Sequence, residues 1–115
     1  MAIYIIKVTT NKEDRALELI STKVHKKDLN VYSFDGTATL HQLPVCVVMA
    51  ENTDQVVHTL KTAHKHQIPV VTRGSGTGLS GGAVPTPGCI VLCVARMNNI
   101  LEIDTRNLTL TTEPG

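Results

Sequence analysis

The densest chemistry in the sequence lies in residues 73–82, RGSGTGLSGG. Five of the chain's eight glycines fall here, at Gly74, Gly76, Gly78, Gly81 and Gly82. Glycine tolerates positive φ and lets a backbone approach a ligand with no side chain between. Successive N–H groups in such a turn converge into an anion-binding nest. Ser75, Thr77 and Ser80 add hydroxyl donors, and Arg73 adds a fixed positive charge. Together these groups suit a diphosphate. A ligand-free connection would have to order the same glycines at a large entropic cost. A mere linker would also not sit between two buried-looking strands.

Three familiar patterns overlap the same stretch and fail on context. Gly76, Gly78 and Gly81 spell GxGxxG, but that fingerprint needs a helix to start inside the loop. Pro85 and Pro87 forbid a helix of useful length there. A Walker A loop needs a lysine after its last glycine, where this chain has Ala83. Residues 78–82 spell GxSxG, the nucleophile elbow of hydrolases, which calls for an acid and then a histidine downstream. No histidine follows His66, so that triad cannot be completed in order.

The other chemistry-bearing residues read as structural. His64 and His66 are two apart and face different sides of a helix, a poor start for a metal site. With Lys65 they complement a helix C-terminus, and His58 lies further back on the same segment. His25, Lys26, Lys27 and Asp28 read as a solvated loop. Glu102 and Asp104 have no partner carboxylate at a readable spacing. Asp35 belongs to an Asp-Gly turn signal. Cys46, Cys89 and Cys93 are odd in number and without CxxC spacing, so they read as buried free thiols in a reducing, cytoplasmic setting. We expect neither a catalytic residue nor a metal ligand within the chain.

The elements that must position the loop follow from apolar periodicity. Residues 3–8 (IYIIKV) predict a strand, and 12–24 predict a helix with Leu17, Ile20 and Val24 on one face. Residues 45–49 form a continuous apolar run suited to a strand buried on both faces. Asn52 and Gln55 resemble a capping box, and Val56, Val57, Leu60 and Ala63 then repeat at helical spacing until Pro69 forces a stop near His66. Residues 69–72 predict another short buried strand, closing a βαβ unit whose crossover is expected to be right-handed. Residues 89–94 predict a further strand, and 100–103 and 108–112 flank DTRN as a hairpin. The fold class is α+β with an α/β-like βαβ core: a small parallel or mixed sheet with flanking helices.

Composition sets the outer limits. At 115 residues the chain allows one small domain or part of a larger one. Hydrophobic content of 42% against 18% charged marks it as globular rather than disordered. The aromatic residues are Tyr4, Tyr32 and Phe34, too few for a base-stacking surface. A net charge of +1 offers no long-range pull on nucleic acid or anionic membrane. The apolar runs are of strand length, far below a membrane span.

From about residue 32 to the end, the sequence resembles the FAD-binding domain of the vanillyl-alcohol oxidase and p-cresol methylhydroxylase type, in particular the branch of glycolate oxidase and D-lactate dehydrogenase. The matching stretches are YSFDGTA, LPVCVVMAENTDQVVHTLKTAHKHQIPVVTRGSGTGLSGGAVP, and VARMNNILEID followed by TTEPG. The resemblance implies that residues 32–115 form the first lobe of such a domain, after a poorly matched strand and helix in 1–31. It implies FAD diphosphate binding at Gly74, Ser75, Gly76, Thr77 and Gly78, then Gly82 and Ala83, with Arg73 at the head of the loop. Some members attach flavin through a histidine in this loop. Thr77 stands at the comparable position, which implies non-covalent FAD. The family oxidises 2-hydroxy acids, and its FAD domain and substrate cap extend well past the stretch matched here. The expectation is an incomplete cofactor lobe, inactive alone, whose partners are FAD and the remainder of the oxidoreductase. A non-enzymatic remnant that keeps the fold without cofactor is the alternative.

Overall fold

The computed structural model describes residues 4–7, 29–37 and 39–115. The helix expected over 12–24 lies outside them. Strand β1 (Tyr4–Lys7) falls within the predicted 3–8 run and pairs antiparallel with β2 (Cys46–Met49). Helix α1 (Thr53–Lys65) follows, then β3 (Val70–Arg73), β4 (Ile90–Cys93), and the hairpin strands β5 (Ile100–Asp104) and β6 (Thr109–Thr112). The main sheet runs β1-β2-β4-β3, with β2, β4 and β3 mutually parallel.

The β2–α1–β3 unit therefore joins parallel strands that are not neighbours, because β4 is inserted between them. Burial explains the order. All four β4 residues are buried, so this uninterrupted apolar strand takes the centre. β3 differs from its expected burial. Val70 and Val71 are half-buried, Thr72 is exposed, and only Arg73 is buried, as suits an edge.

Each face of the sheet is covered. On one, Cys46, Val48, Ile90 and Leu92 pack with Ala63 of α1 and with Met97. On the other, Val47, Cys89, Val91 and Cys93 pack with Leu29 and Tyr32, which flank and end a short 3-10 turn (Asn30–Tyr32). The three cysteines are buried, and burial pushes the Cys89 thiol up from its ordinary value.

Asn52 caps α1, its side chain accepting from the Gln55 N–H at 3.0 Å. The Gln55 side chain returns the contact one residue earlier than a capping box does, accepting from Glu51 N–H at 2.8 Å. The helix turns a different stripe inward from the one its apolar spacing suggests: Gln55, Thr59 and Ala63 are buried, while Val57 and Leu60 are exposed. Thr59 satisfies its hydroxyl on the Gln55 carbonyl at 2.8 Å, while the buried Gln55 Nε2 in the same stripe reaches no partner among the described residues. Val56 and Leu60 instead border an apolar groove of ≈ 250 Å³, shared with Leu92, Val94, Met97 and Pro114.

The hairpin stands apart as a two-stranded ribbon with a bulge between Ile100 and Glu102. Its turn is closed by Asp104, which accepts from Arg106 N–H, Asn107 N–H and the Asn107 side chain. The Asn107 amide, first among these donors, holds the Asp104 carboxyl below its ordinary value.

Candidate diphosphate-binding loop

The loop leaves the carboxyl end of β3 beside the carboxyl end of β4, the side of a parallel sheet where ligands gather. Arg73 is its first anchor. The side chain is 7% exposed, and it lies over the Tyr32 ring with 5.3 Å from Cζ to the ring centroid. Its Nη1 donates to the Phe34 carbonyl at 2.9 Å, its Nη2 to the Ser75 carbonyl at 3.1 Å, and its Nε to the Gly74 carbonyl at 3.4 Å. The fixed charge that the sequence offers to a ligand is thus engaged by backbone carbonyls.

The second anchor is the turn at residues 35–37, whose Asp-Gly pair carries only a local signal in the sequence. Gly36 N–H donates to the Gly78 carbonyl at 2.8 Å. A Cβ on Gly36 would stand 2.8 Å from that same oxygen, so the close approach requires glycine. Asp35 is 6% exposed and accepts from Thr37 N–H at 2.7 Å. That N–H holds the Asp35 carboxyl below its ordinary value against the opposing effect of burial, with smaller help from the Thr37 hydroxyl and from the N–H groups of Ala83 and Gly81. Among the described residues Asp35 Oδ2 and Thr37 Oγ1 nevertheless reach no partner in hydrogen-bond geometry. The turn therefore holds the 76–78 arm of the loop through Gly36.

Between these anchors the loop sorts its polar groups. The carbonyls of Gly74, Ser75 and Gly78 face inward, to Arg73, to Cys93 Sγ at 3.6 Å, and to Gly36. Among the described residues, no acceptor takes the N–H groups of Gly74, Ser75, Gly76, Thr77 or Gly78. The glycines sort as well. Gly76 and Gly81 have positive φ, 78° and 75°. A Cβ on Gly76 would run into the Arg73 guanidinium, and one on Gly81 would come 2.8 Å from Leu40 Cδ1. Gly74 and Gly78 have neither need, and a Cβ on them meets nothing within 4 Å. Ser75, Thr77, Leu79, Ser80 and Gly82 are exposed, with Ala83 half-buried. A loop with inward carbonyls, unspent N–H groups and bare backbone facing open space suits an anionic group approaching from outside.

Among the described residues no hydrogen bond joins Ser80 to a histidine, and a serine–histidine contact lies elsewhere: Ser33 Oγ and His41 Nε2 are 2.8 Å apart. Ser33 is buried and donates to the Asn30 carbonyl at 2.6 Å, so His41 is the donor in that contact. His58, His64 and His66 are exposed, and among the described residues no cluster of His, Cys, Asp or Glu could hold a metal ion.

Comparison with known proteins agrees with this loop chemistry. The profile described as FAD binding domain matches residues 44–115. Glycolate oxidase subunit GlcD of Bacillus subtilis (strain 168) is 47% identical over 85 residues, covering 74% of this chain and 18% of that protein. D-lactate dehydrogenase of Archaeoglobus fulgidus is 51% identical over 82 residues, covering 68% of this chain and 18% of that protein. The crystal structure of p-cresol methylhydroxylase with substrate bound superposes with a TM-score of 0.60 at 26% identity, over 81% of this chain and 19% of that one. The chain thus spans about a fifth of the length of these relatives. It belongs to the FAD-binding domain family, within flavoproteins similar to glycolate oxidase subunit GlcD and D-lactate dehydrogenase, and its cofactor is FAD.

Proposed function

We propose that this chain supplies the FAD-diphosphate-binding lobe of a 2-hydroxy-acid oxidoreductase of the glycolate or D-lactate type, and that it is inactive alone. The observation that carries this reading is the pairing of unspent N–H groups at residues 74–78 with open space over Gly74 and Gly78. The backbone of Gly74, Ser75, Gly76, Thr77 and Gly78 would hold one side of the diphosphate, and Gly82 and Ala83 the other. Bound FAD would supply the two-electron acceptor for the hydroxy acid. The chain would supply position and exclusion of water. Thr77 offers no nucleophilic ring nitrogen, which supports non-covalent attachment.

Two surfaces support the view that this lobe works against further protein. The groove beside Val56 and Leu60 is apolar, and the hairpin carries Ile100, Leu101, Ile103 and Leu110 exposed. An isolated two-stranded ribbon is marginal in water, so we assign its cover to the remainder of the oxidoreductase. The same surfaces favour the second reading, an interaction module without cofactor. The burial of Cys89 and Cys93 outside any disulfide supports a reducing, cytoplasmic setting. Among the described residues no helix is long and apolar enough to cross a membrane.

The test is titration of FAD with the purified chain, followed by flavin fluorescence, with ADP and inorganic diphosphate as competitors. Saturable binding that both competitors displace is expected. Absence of saturable binding, or binding that neither ADP nor inorganic diphosphate displaces, overturns the diphosphate reading.

A further inference from the structure

We infer that Arg73 acts as the former on which the FAD loop is shaped, a positioning residue rather than a counter-charge to the diphosphate; this rests on the loop being the diphosphate site. The geometry is specific to a guanidinium. Three nitrogens of one rigid fork reach three carbonyls, at Phe34, Ser75 and Gly74, while its face lies on Tyr32. Two of those carbonyls belong to the loop, and the third, at Phe34, directly precedes the turn whose Gly36 holds Gly78. Every N–H that Arg73 directs at a carbonyl turns that peptide's oxygen inward. Inward carbonyls at Gly74 and Ser75 leave the N–H groups of the loop available to an anion.

Charge alone does not reproduce this arrangement. A lysine at 73 carries the same charge on one nitrogen and lacks the planar fork. The guanidinium is buried and occupied by neutral acceptors, so its contribution to an anion is at most a field through the loop. Gly76 records the arrangement from the other side, because any Cβ there collides with Arg73 Nη2.

The experiment compares wild type, Arg73→Lys and Arg73→Gln in two measurements. Amide hydrogen exchange is followed without FAD at Gly36, whose N–H is held by the Gly78 carbonyl, with the core strands Cys46–Met49 and Ile90–Cys93 as reference. FAD affinity is then measured across a range of KCl. Exchange at Gly36 should rise by about tenfold or more in both variants while the core strands stay protected. FAD affinity should fall by about tenfold or more in both, with the slope against salt unchanged. Wild-type exchange in Arg73→Lys overturns the proposal. So does retained affinity in Arg73→Lys with loss in Arg73→Gln, which is the signature of a counter-charge. If both variants lose core protection, Gly76→Ala replaces them, since it keeps Arg73 and displaces its guanidinium. Unchanged exchange at Gly36 in Gly76→Ala overturns the idea. If wild type binds no FAD, the functional reading falls by itself while the exchange arm still decides the role of Arg73.

Discussion

The guanidinium of Arg73 occupies the space into which a side chain on Gly76 would have to grow. Gly76 also holds φ at 78°, where a β-branched residue is strained. Two independent penalties thus fall on one position. Gly76→Val should cost about 1–3 kcal/mol in backbone strain before any collision is counted. It should abolish FAD binding. Chemical denaturation and flavin fluorescence titration read the two effects. Wild-type affinity in this variant would show that the loop is misassigned.

Gly74 and Gly78 should behave oppositely on the two measurements. No chain atom lies within 4 Å of a Cβ at either position, and neither φ is positive. Gly74→Ala and Gly78→Ala should therefore leave stability unchanged or raise it by about 0.4–1 kcal/mol. FAD affinity should drop, because the methyl group enters the space left for the ligand. Ser80→Ala should leave affinity within about tenfold of wild type, since one neutral hydrogen bond contributes about 0.5–1.5 kcal/mol. Equal effects at Gly78 and Ser80 would contradict the assignment.

How far the sequence carried the structure depended on whether the deciding contacts were local. Apolar runs located β2, β4 and the hairpin, and Asn52 with Pro69 bounded α1, because caps and breakers act over a few residues. The glycine density located the loop. The order of β3 and β4 was not legible, since a PVVT run looks the same at an edge as in the centre. The inward stripe of α1 was not legible either. Thr59 is tolerated there only because its hydroxyl finds the Gln55 carbonyl. Arg73 read as a ligand charge because its partner, the Phe34 carbonyl, lies 39 residues away.

Acid should loosen the turn under the loop. The Asp35 carboxyl is held below its ordinary value of 3.8, chiefly by Thr37 N–H. A carboxylate whose folded pKa is depressed contributes stability that is present above its unfolded value and lost as pH falls through the folded one. Wild type should therefore lose stability as pH drops below about 3.8, and Asp35→Asn should lose less over the same interval. Urea midpoints between about pH 5 and pH 3 give the comparison. Parallel curves for the two proteins would remove Asp35 from the account.

FAD bound by this loop should leave with acid or denaturant. Covalent attachment needs a nucleophile at the flavin, and the exposed residue at the comparable loop position is Thr77. A threonine hydroxyl in water is a weak nucleophile without an adjacent base, and no histidine contacts it among the described residues. Flavin-loaded protein precipitated with acid should give a colourless pellet and a yellow supernatant. A pellet that stays yellow through washing contradicts non-covalent binding.

The ribbon should make the isolated chain associate with itself. Ile103 and Leu110 face each other across the two strands at 65% and 58% exposure, and Ile100 pairs with Thr112 beyond the bulge. The opposite face carries Glu102 and Asp104 with Thr109 and Thr111, so the apolar side of the ribbon is uncovered while its polar side is solvated. Uncovered apolar faces and unpaired strand edges promote pairing between chains. Sedimentation velocity at rising concentration should show growing association of the wild-type chain. Ile103→Lys with Leu110→Thr should suppress it and leave the protection of Cys46–Met49 and Ile90–Cys93 intact, because the ribbon forms a separate sheet. A monomeric wild type at every concentration would mean that the ribbon face is covered from within the chain, and the case for an external partner at this surface would fail.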